Sequence, residues 1–213
     1  MTLTLFHTPG TRSVRARWLM EEMGVIYDLK TLEYDGAYFA SDEFRKINPM
    51  GKIPAMYDGE TLINESIAIM QYVMERYGPT ELNVPATDPE FATYLQWLHM
   101  GESGVSGYIA VSFGHVSGED PYQVSEKYDV YCRYQVEKAL GMLEARLEGR
   151  EYILDRGFSA ADISMGYALM FAAVCTGTAY TPTVSAYLGR LMGRPAMQRA
   201  ISDIPAEMLS MFA

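Results

Sequence analysis

The chain has few of the residues that bind metal ions or form disulfides. Its 213 residues include two cysteines, Cys132 and Cys175, and three scattered histidines. No C-x-x-C pair occurs, which excludes a dithiol oxidoreductase and a disulfide framework. We expect no bound metal, because these residues are not spaced as a ligand set. Two isolated cysteines are typical of a reducing cytoplasm, where we expect the protein to be located.

Long apolar runs and clusters of basic residues are also missing. The longest apolar stretch, 163–174, is interrupted by polar residues and is too short to span a bilayer. The first residues lack the basic and apolar segments of a signal peptide, so we expect none. The net charge is −10 and the pI is near 4.8. Such an acidic chain repels phosphate backbones and anionic lipid, so we expect neither nucleic acid nor a membrane as a partner.

The first third of the chain instead shows alternating strand and helix patterns. The composition, 49% hydrophobic and 21% charged, is typical of a packed globular protein. Periodicity and turn residues predict a βαβαββα order, which is an α/β layer. Gly24 is expected to end the first helix. The predicted elements are a strand at 3–6, a helix at 13–23, a strand at 27–32, a helix at 41–47, strands at 53–57 and 61–63, and a helix at 65–77.

The remainder of the sequence predicts helices only. Proline-rich punctuation near 79–89 indicates a linker, and helical periodicity then recurs at 90–113, 122–148, 160–175 and 182–192. Ser159 and Asp162 fit a capping box at the start of the third of these helices. We therefore predict one domain at 1–78, a linker at 79–87 and an all-helical domain at 88–213.

Four segments, in this order, resemble the glutathione transferase superfamily. They are TPGTRSVRARWLMEEMG, NPMGKIPAM, INESIAIMQYV and FSAADI. Each segment alone is a weak signal, but all four at these separations are specific and span nearly the whole chain. The resemblance implies a thioredoxin-like domain followed by a helical-bundle domain, the layout that periodicity predicts separately. It also implies glutathione as the co-substrate.

The resemblance assigns the glutathione-binding groups to two short segments. It implies a cis bond before Pro54, with the main chain of Ile53 pairing with the cysteinyl part of glutathione like an added strand. Ser66, at a helix N-terminus, would hold the γ-glutamyl carboxylate, and Glu65 would meet the ammonium group. Lys52 is the candidate partner of the glycyl carboxylate. The residues alone leave plainer alternatives open: a strand that begins after proline, ordinary helix capping and a solvated lysine.

The loop before the first helix is where the resemblance places the thiol-activating group. Phe6 stands where the alpha, mu and pi classes carry tyrosine, and no cysteine lies near the loop as in the beta and omega classes. Loop hydroxyls remain, as in theta-like members. We favour Thr11 over Ser13, although either could cap the helix instead. Arg12 either adds positive potential near the sulfur or is a solvated surface charge.

The helical domain carries the remaining candidate residues. By resemblance, Glu102 reaches across a homodimer interface toward the γ-glutamyl amine, and its alternative is an exposed helix acid. Tyr108 and Phe113 would line a pocket for a small hydrophobic electrophile, or belong to the helical core. We expect a homodimer with an interface drawn from the end of the α/β domain and the first long helices.

The function predicted from these patterns is a glutathione transferase that attacks small apolar electrophiles with the glutathione thiolate. Other enzymes of the same thiolate type remain open: a lyase that cleaves ethers, an isomerase or a peroxidase. A zeta-type isomerase is disfavoured, because its serine-serine-cysteine loop is missing. A non-catalytic glutathione-binding or assembly module is the alternative from another class, since a fold does not fix a function.

Overall fold

A computed structural model describes residues 3–117 and 124–206, with side chains omitted at 114–117. These residues form two compact units. The first contains the chain up to Asn83 together with Arg194–Ile204, and the second contains Val84–Gly193. Among the described residues, no helix is both long and apolar enough to cross a membrane.

The first unit is built on a four-stranded sheet. Its strands are β1 (Leu3–His7), β2 (Tyr27–Thr31), β3 (Ala55–Asp58) and β4 (Thr61–Asn64). The sheet order is β2-β1-β3-β4, in which β2 runs parallel to β1 while β3 and β4 are antiparallel to their neighbours. Leu3 and Leu5 alternate with less buried residues on β1, so one face of this central strand packs against the core.

Helices cover this sheet. They are α1 (Ser13–Met23), the short α2 (Gly36–Phe39) and α3 (Asp42–Arg45), and α4 (Ser66–Tyr77). Trp18 of α1 and Ile69 of α4 are fully buried, and the two helices pack together. Gly24 adopts a left-handed φ of 64° and donates its N–H to the Met20 carbonyl, which confirms the predicted end of α1. The predicted order is confirmed, with α2 as an additional element.

A segment from the far end of the chain packs on α1. Helix α10 (Pro195–Ala200) and its flanks belong to the first unit. Arg194 holds Glu22 through two hydrogen bonds of 2.6 and 2.9 Å, and Arg199 pairs with Glu21 at 2.6 Å. The predicted division of the chain, which assigned 88–213 to one helical domain, did not anticipate this association. Ion pairs between residues more than 170 positions apart leave no local signal in a sequence.

The second unit is helical throughout its described residues, apart from one isolated bridge. Its elements are α5 (Phe91–Met100), a π-helical segment (Gly101–Ser106), α6 (Gly107–Ser117), α7 (Glu126–Leu147), α8 (Ala160–Thr176) and α9 (Pro182–Met192). The helix predicted at 90–113 is therefore interrupted by a π-helical segment. A Cβ at Gly101 would lie 2.4 Å from Ser164 Oγ, so glycine permits this close approach to α8. The predicted start of the next helix, at 122, lies outside the described residues.

The capping box predicted before α8 is present and organises the second unit. The carboxylate of Asp162 accepts the Ser159 N–H at 2.8 Å, and Ser159 caps the helix in return. The same carboxylate accepts the Ile153 N–H and the Tyr187 hydroxyl, both at 2.9 Å. Asp162 is fully buried, so it joins three segments at a place that water does not reach.

Replacing Asp162 by alanine is expected to destabilise the protein strongly. The change leaves the Ile153 and Ser159 N–H groups and the Tyr187 hydroxyl without their acceptor. A buried polar group left unsatisfied costs about 1–3 kcal/mol, so we expect a loss of at least about 3 kcal/mol in the free energy of unfolding in urea. The matched control is Asp155→Ala, whose 64% exposed side chain pairs with Arg150 and should matter by less than about 1 kcal/mol. Equal losses in the two variants would contradict this account.

Candidate functional site

Strand register brings three loop segments to one end of the sheet. Phe6 pairs with Ala55 and Ala55 with Asn64, so β1 ends, β3 begins and β4 ends at the same edge. The segments that adjoin this edge are residues 8–12, residues 48–54 and the junction at 65–66. Neighbouring strands are ~4.8 Å apart, so the three strands span about 10 Å here. Each of these segments contains predicted site residues.

The hydroxyls predicted for the thiol site lie in direct contact. Thr11 Oγ1 is 2.8 Å from Ser13 Oγ and also donates to the Thr8 carbonyl at 2.8 Å. Ser13 Oγ lies 2.8 Å from His7 Nδ1 and accepts the Thr8 N–H at 3.3 Å. Ser13 is fully buried, whereas Thr11 is partly exposed. The N-cap position of α1 falls on Arg12, whose side chain makes no capping hydrogen bond within the described structure.

His7 is buried in the same network and faces two charges. Its Nε2 lies 3.2 Å from Asp203 Oδ2 and 3.3 Å from Arg17 Nη1, and these two charged groups pair with each other at 2.7 Å. Burial, together with the positive charge of Arg17, lowers the pKa of His7 to about 4, although Asp203 opposes the shift. The imidazole is therefore neutral at physiological pH and carries a single proton.

The segment before β3 is held in a fixed conformation. The buried Asn48 side chain donates to the Lys52 carbonyl and accepts the Met50 N–H at 2.9 Å. Gly51 adopts a φ of 63°, and a Cβ there would approach the Phe39 carbonyl oxygen to 2.6 Å, so only glycine fits. The Ile53–Pro54 peptide bond is cis, as the resemblance implies. The Lys52 side chain is exposed to solvent.

The junction between β4 and α4 combines backbone strain with a buried arginine. Glu65 has φ 67° and ψ 116°, and it is the one residue other than glycine with a positive φ within the described ranges. Such a conformation costs of order 1–3 kcal/mol and is typical of functional sites. Ser66 follows as the first residue of α4 and is 4% exposed. Its Oγ accepts a hydrogen bond of 3.3 Å from Nη1 of Arg15, which is fully buried.

This arrangement favours anions. Helices α1 and α4 both begin at the same edge of the sheet, and each helix N-terminus carries a partial positive charge and unpaired N–H groups. The guanidinium of Arg15 adds a full positive charge next to Ser66. Glu65 makes no side-chain capping hydrogen bond in the described part of the chain, so ordinary capping does not account for its strained position. The site can therefore bind a carboxylate and stabilise a second negative charge near Thr11.

The other predicted site residues lie in the second unit. Glu102 belongs to the π-helical segment and is partly exposed. Tyr108 and Phe113 are on α6; Tyr108 contacts the ring of Tyr131 edge-on at 6.1 Å, and Phe113 is 44% exposed. Phe113 is therefore not part of the helical core. No group of three or more potential metal-binding side chains occurs in the described ranges.

Four residues of this region were not singled out from the sequence: His7, Arg15, Asn48 and Asp203. A histidine at the end of a strand and an arginine on an apolar helix face give no specific signal, because either is compatible with packing or with exposure. Asn48 stands directly before a proline, a position that by itself indicates only the end of a helix. The one available hint was the pair Arg15 and Arg17 on a helix that is otherwise largely apolar, since buried arginines require polar partners.

The low pKa of His7 predicts a specific pH dependence of stability. In the unfolded chain histidine binds its proton at about pH 6.5, whereas folded His7 does so near pH 4. The unfolded state therefore binds more protons between these values, and the stability present above pH 6.5 is lost as the pH falls to 4. The expected loss is about 3 kcal/mol.

Urea titrations at several pH values of the wild type and His7→Asn would measure this contribution. Subtracting the His7→Asn profile from that of the wild type should show the loss of stability due to His7. The contributions of the carboxylates cancel, because these groups titrate in both proteins. His99→Asn, on an exposed position of α5, serves as the control and should keep the wild-type profile. A His7→Asn profile parallel to that of the wild type would contradict the assignment.

Two family models match the chain. One is described as "Glutathione S-transferase, N-terminal domain" and matches residues 1–75. The other is described as "Glutathione S-transferase, C-terminal domain" and matches residues 67–195. Together they cover nearly all of the described chain, and the first includes all three segments at the sheet edge.

Individual proteins show the same likeness. Glutathione S-transferase 3 of Schizosaccharomyces pombe is 25% identical, with 99% of this chain and 91% of that protein covered. A crystal structure of a glutathione S-transferase from Actinobacillus pleuropneumoniae is 25% identical, with a TM-score of 0.79 and coverages of 97% and 99%. The theta class enzyme of Xanthomonas axonopodis pv. citri, solved with glutathione bound, is 26% identical, with a TM-score of 0.76 and coverages of 94% and 97%.

Proposed function

The chain belongs to the glutathione S-transferase family, and on that premise we propose that it binds glutathione at the described sheet edge and activates its thiol for attack on small apolar electrophiles. The observation that carries the proposal is the convergence of the Thr11 hydroxyl, the segment before Pro54 and the strained Glu65–Ser66 junction at one edge. A relative solved with glutathione bound supports the choice of ligand.

An extended tripeptide fits this edge in length. Three extended residues span at most ~10 Å, which is the width of β1, β3 and β4 together. The γ-glutamyl carboxylate binds at the α4 N-terminus with Ser66, supported by Arg15, and its ammonium group meets Glu65. The cysteinyl main chain pairs with Ile53, and the glycyl carboxylate is directed to Lys52. This order places the sulfur beside Thr11.

Thiol activation requires a modest preference for the charged form. A free thiol has a pKa of about 8.5, and lowering it by 2 needs about 2.7 kcal/mol. One charge-assisted hydrogen bond supplies about 1.5–3 kcal/mol, and the N-terminus of α1 adds to it. Burial favours Thr11 over Ser13 as the donor, because Ser13 is enclosed whereas Thr11 reaches the surface. Arg12 contributes positive potential at the same helix end.

The chemical step requires few further groups from the first unit. The thiolate sulfur forms a bond to the electrophilic carbon, the leaving group departs with the electron pair of its bond, and the thiol proton has already passed to solvent. Because the thiolate is held in a fixed position, its reaction with a bound electrophile becomes effectively unimolecular. Tyr108 and Phe113 remain the proposed electrophile-site residues, and Glu102 and a homodimer remain predictions.

Replacing Thr11 by valine is expected to raise the pKa of bound glutathione toward the free value of about 8.5. Loss of one charge-assisted hydrogen bond should lower kcat/KM at pH 6.5 roughly 10- to 100-fold. Thr11→Ser keeps the hydroxyl and should retain most of the activity. The measurement is the ultraviolet absorbance of the bound thiolate against pH, together with conjugation kinetics.

Thr8→Val is the matched control for that variant. It makes the same change three residues away, and the Thr8 hydroxyl is buried with no hydrogen-bond partner among the described residues. The bound-thiol pKa should stay at its wild-type value. A pKa raised equally in Thr8→Val and Thr11→Val, or in neither, would contradict the assignment of Thr11.

Ser66→Ala tests the carboxylate site separately. We expect KM for glutathione to rise about 5- to 30-fold, the effect of losing a hydrogen bond to a charged group, while kcat changes little because this contact persists unchanged through the reaction. Ser41→Ala is the control, since Ser41 caps the short helix α3 and its loss costs only stability, about 1 kcal/mol. A fall in kcat with an unchanged KM would rule out the assigned role of Ser66.

A further inference from the structure

A continuous row of polar groups lies behind Thr11. It runs from Arg17 Nη1 to His7 Nε2 at 3.3 Å, from His7 Nδ1 to Ser13 Oγ at 2.8 Å, and from Ser13 Oγ to Thr11 Oγ1 at 2.8 Å. His7 and Ser13 are fully buried, so no solvent molecule replaces a missing partner without displacing the packing. The Thr8 carbonyl is a further acceptor beside the row, 2.8 Å from Thr11 Oγ1 and 3.2 Å from Ser13 Oγ. The direction in which each hydroxyl donates is therefore decided by the row and this carbonyl.

The proton of His7 determines that direction. Ser13 has one hydrogen and two lone pairs, and one lone pair accepts the Thr8 N–H. If His7 carries its proton on Nε2, Ser13 must donate to Nδ1. Once Thr11 has given its only hydrogen to the glutathione sulfur, Thr11 and Ser13 oxygens then face each other at 2.8 Å with no hydrogen between them.

The other tautomer satisfies every contact of the row. With the proton on Nδ1, His7 donates to Ser13, and Ser13 donates to Thr11 at 2.8 Å in preference to the Thr8 carbonyl at 3.2 Å. The Thr11 hydrogen, which is donated to the Thr8 carbonyl in this structure, is then left to turn to the sulfur. Nε2 is then an acceptor, and Arg17 Nη1, which can only donate, has one hydrogen for Nε2 and one for Asp203 at 2.7 Å. Asp203, 3.2 Å from Nε2, favours the opposite tautomer, but its charge is already paired with Arg17.

We propose that His7 is a positioning residue which, as its Nδ1–H tautomer, directs a chain of hydrogen bonds from Arg17 through Ser13 and Thr11 to the glutathione thiolate. The inference rests on the proposed function of Thr11 and extends it. Each donor in such a chain strengthens the next, so the charge of Arg17 stabilises the sulfur from a distance. Ser13 is then a relay and not the residue that contacts sulfur.

His7 does not act as the base that removes the thiol proton. Its burial holds the pKa near 4, far below that of a thiol, so proton transfer from sulfur to the imidazole would be strongly uphill. A neutral histidine with one fixed proton suits the positioning role instead.

The tautomer is directly measurable by nitrogen-15 NMR of imidazole in the wild-type protein saturated with glutathione. The protein has three histidines, and the His7 signals are identified by their loss in His7→Asn. We expect the hydrogen of His7 on Nδ1. A hydrogen on Nε2 in the glutathione complex overturns the inference, and the variant, which serves only to assign the signals, need not be active.

Variants give the second readout, the pKa of bound glutathione. His7→Leu should raise it by about 0.5–1 through the loss of one cooperative donor. His7→Asn places an amide N–H near the position of Nδ1 and should restore the low pKa of bound glutathione. If His7 only filled space, this variant would not restore it. His99→Leu makes the same substitution at an exposed site of α5 and should leave the pKa unchanged.

The outcomes separate this inference from the function on which it rests. If the wild-type protein binds glutathione without lowering its pKa, or if Thr11→Val leaves the lowered pKa intact, the proposed function fails. If Thr11→Val raises the pKa but His7→Leu does not, the function stands and the role of His7 is overturned.

Discussion

The hydrogen bond between His7 Nδ1 and Ser13 Oγ fixes the geometry on which the site depends. It ties the last residue of β1 to the first residue of α1 across a loop of five residues. With both ends of so short a loop held, few conformations remain for Thr11, whose side-chain oxygen lies 2.8 Å from both the Thr8 carbonyl oxygen and Ser13 Oγ. The position of the proposed catalytic hydroxyl is thus set by buried polar contacts and not by the loop alone.

The sheet supplies the second constraint. Because β3 is antiparallel to both β1 and β4, the chain returns twice to the same edge and delivers three segments there. The rigid strands fix the spacing of these segments. The strained Glu65 and the positive-φ Gly51 set the backbone conformation of two of them. Strain at Glu65 is tolerated because β4 and α4 hold it on both sides. The site is therefore assembled by the most regular part of the first unit.

Local patterns were enough to predict much of this architecture. Gly24, the capping box at Ser159 and the helix that begins near Ser66 each depend on residues close in sequence, and each is confirmed. The family and the two-part fold are confirmed as well, because four motifs carry them jointly. The theta-like hydroxyl subclass stays a prediction.

Features that depend on distant residues could not be predicted. Asp203 contacts His7 and Arg194 contacts Glu22, and each contact joins positions that are far apart in the chain. The role of Arg15 becomes visible only when its side chain is seen to reach Ser66. The π-helical segment after α5 could not be predicted for another reason, because one extra residue in a helical turn hardly alters hydrophobic periodicity.

The most direct test of the central claim is the number of protons released when glutathione binds, measured by calorimetry at pH 7 in buffers of different ionisation enthalpy. A thiol whose pKa falls from about 8.5 to about 6.5 should release about 0.7 proton. His7 does not contribute, because it is already neutral at this pH. S-methylglutathione, which has no thiol, should bind and release none. Tight binding of glutathione with no proton release would show that the thiol stays protonated, and would contradict the account.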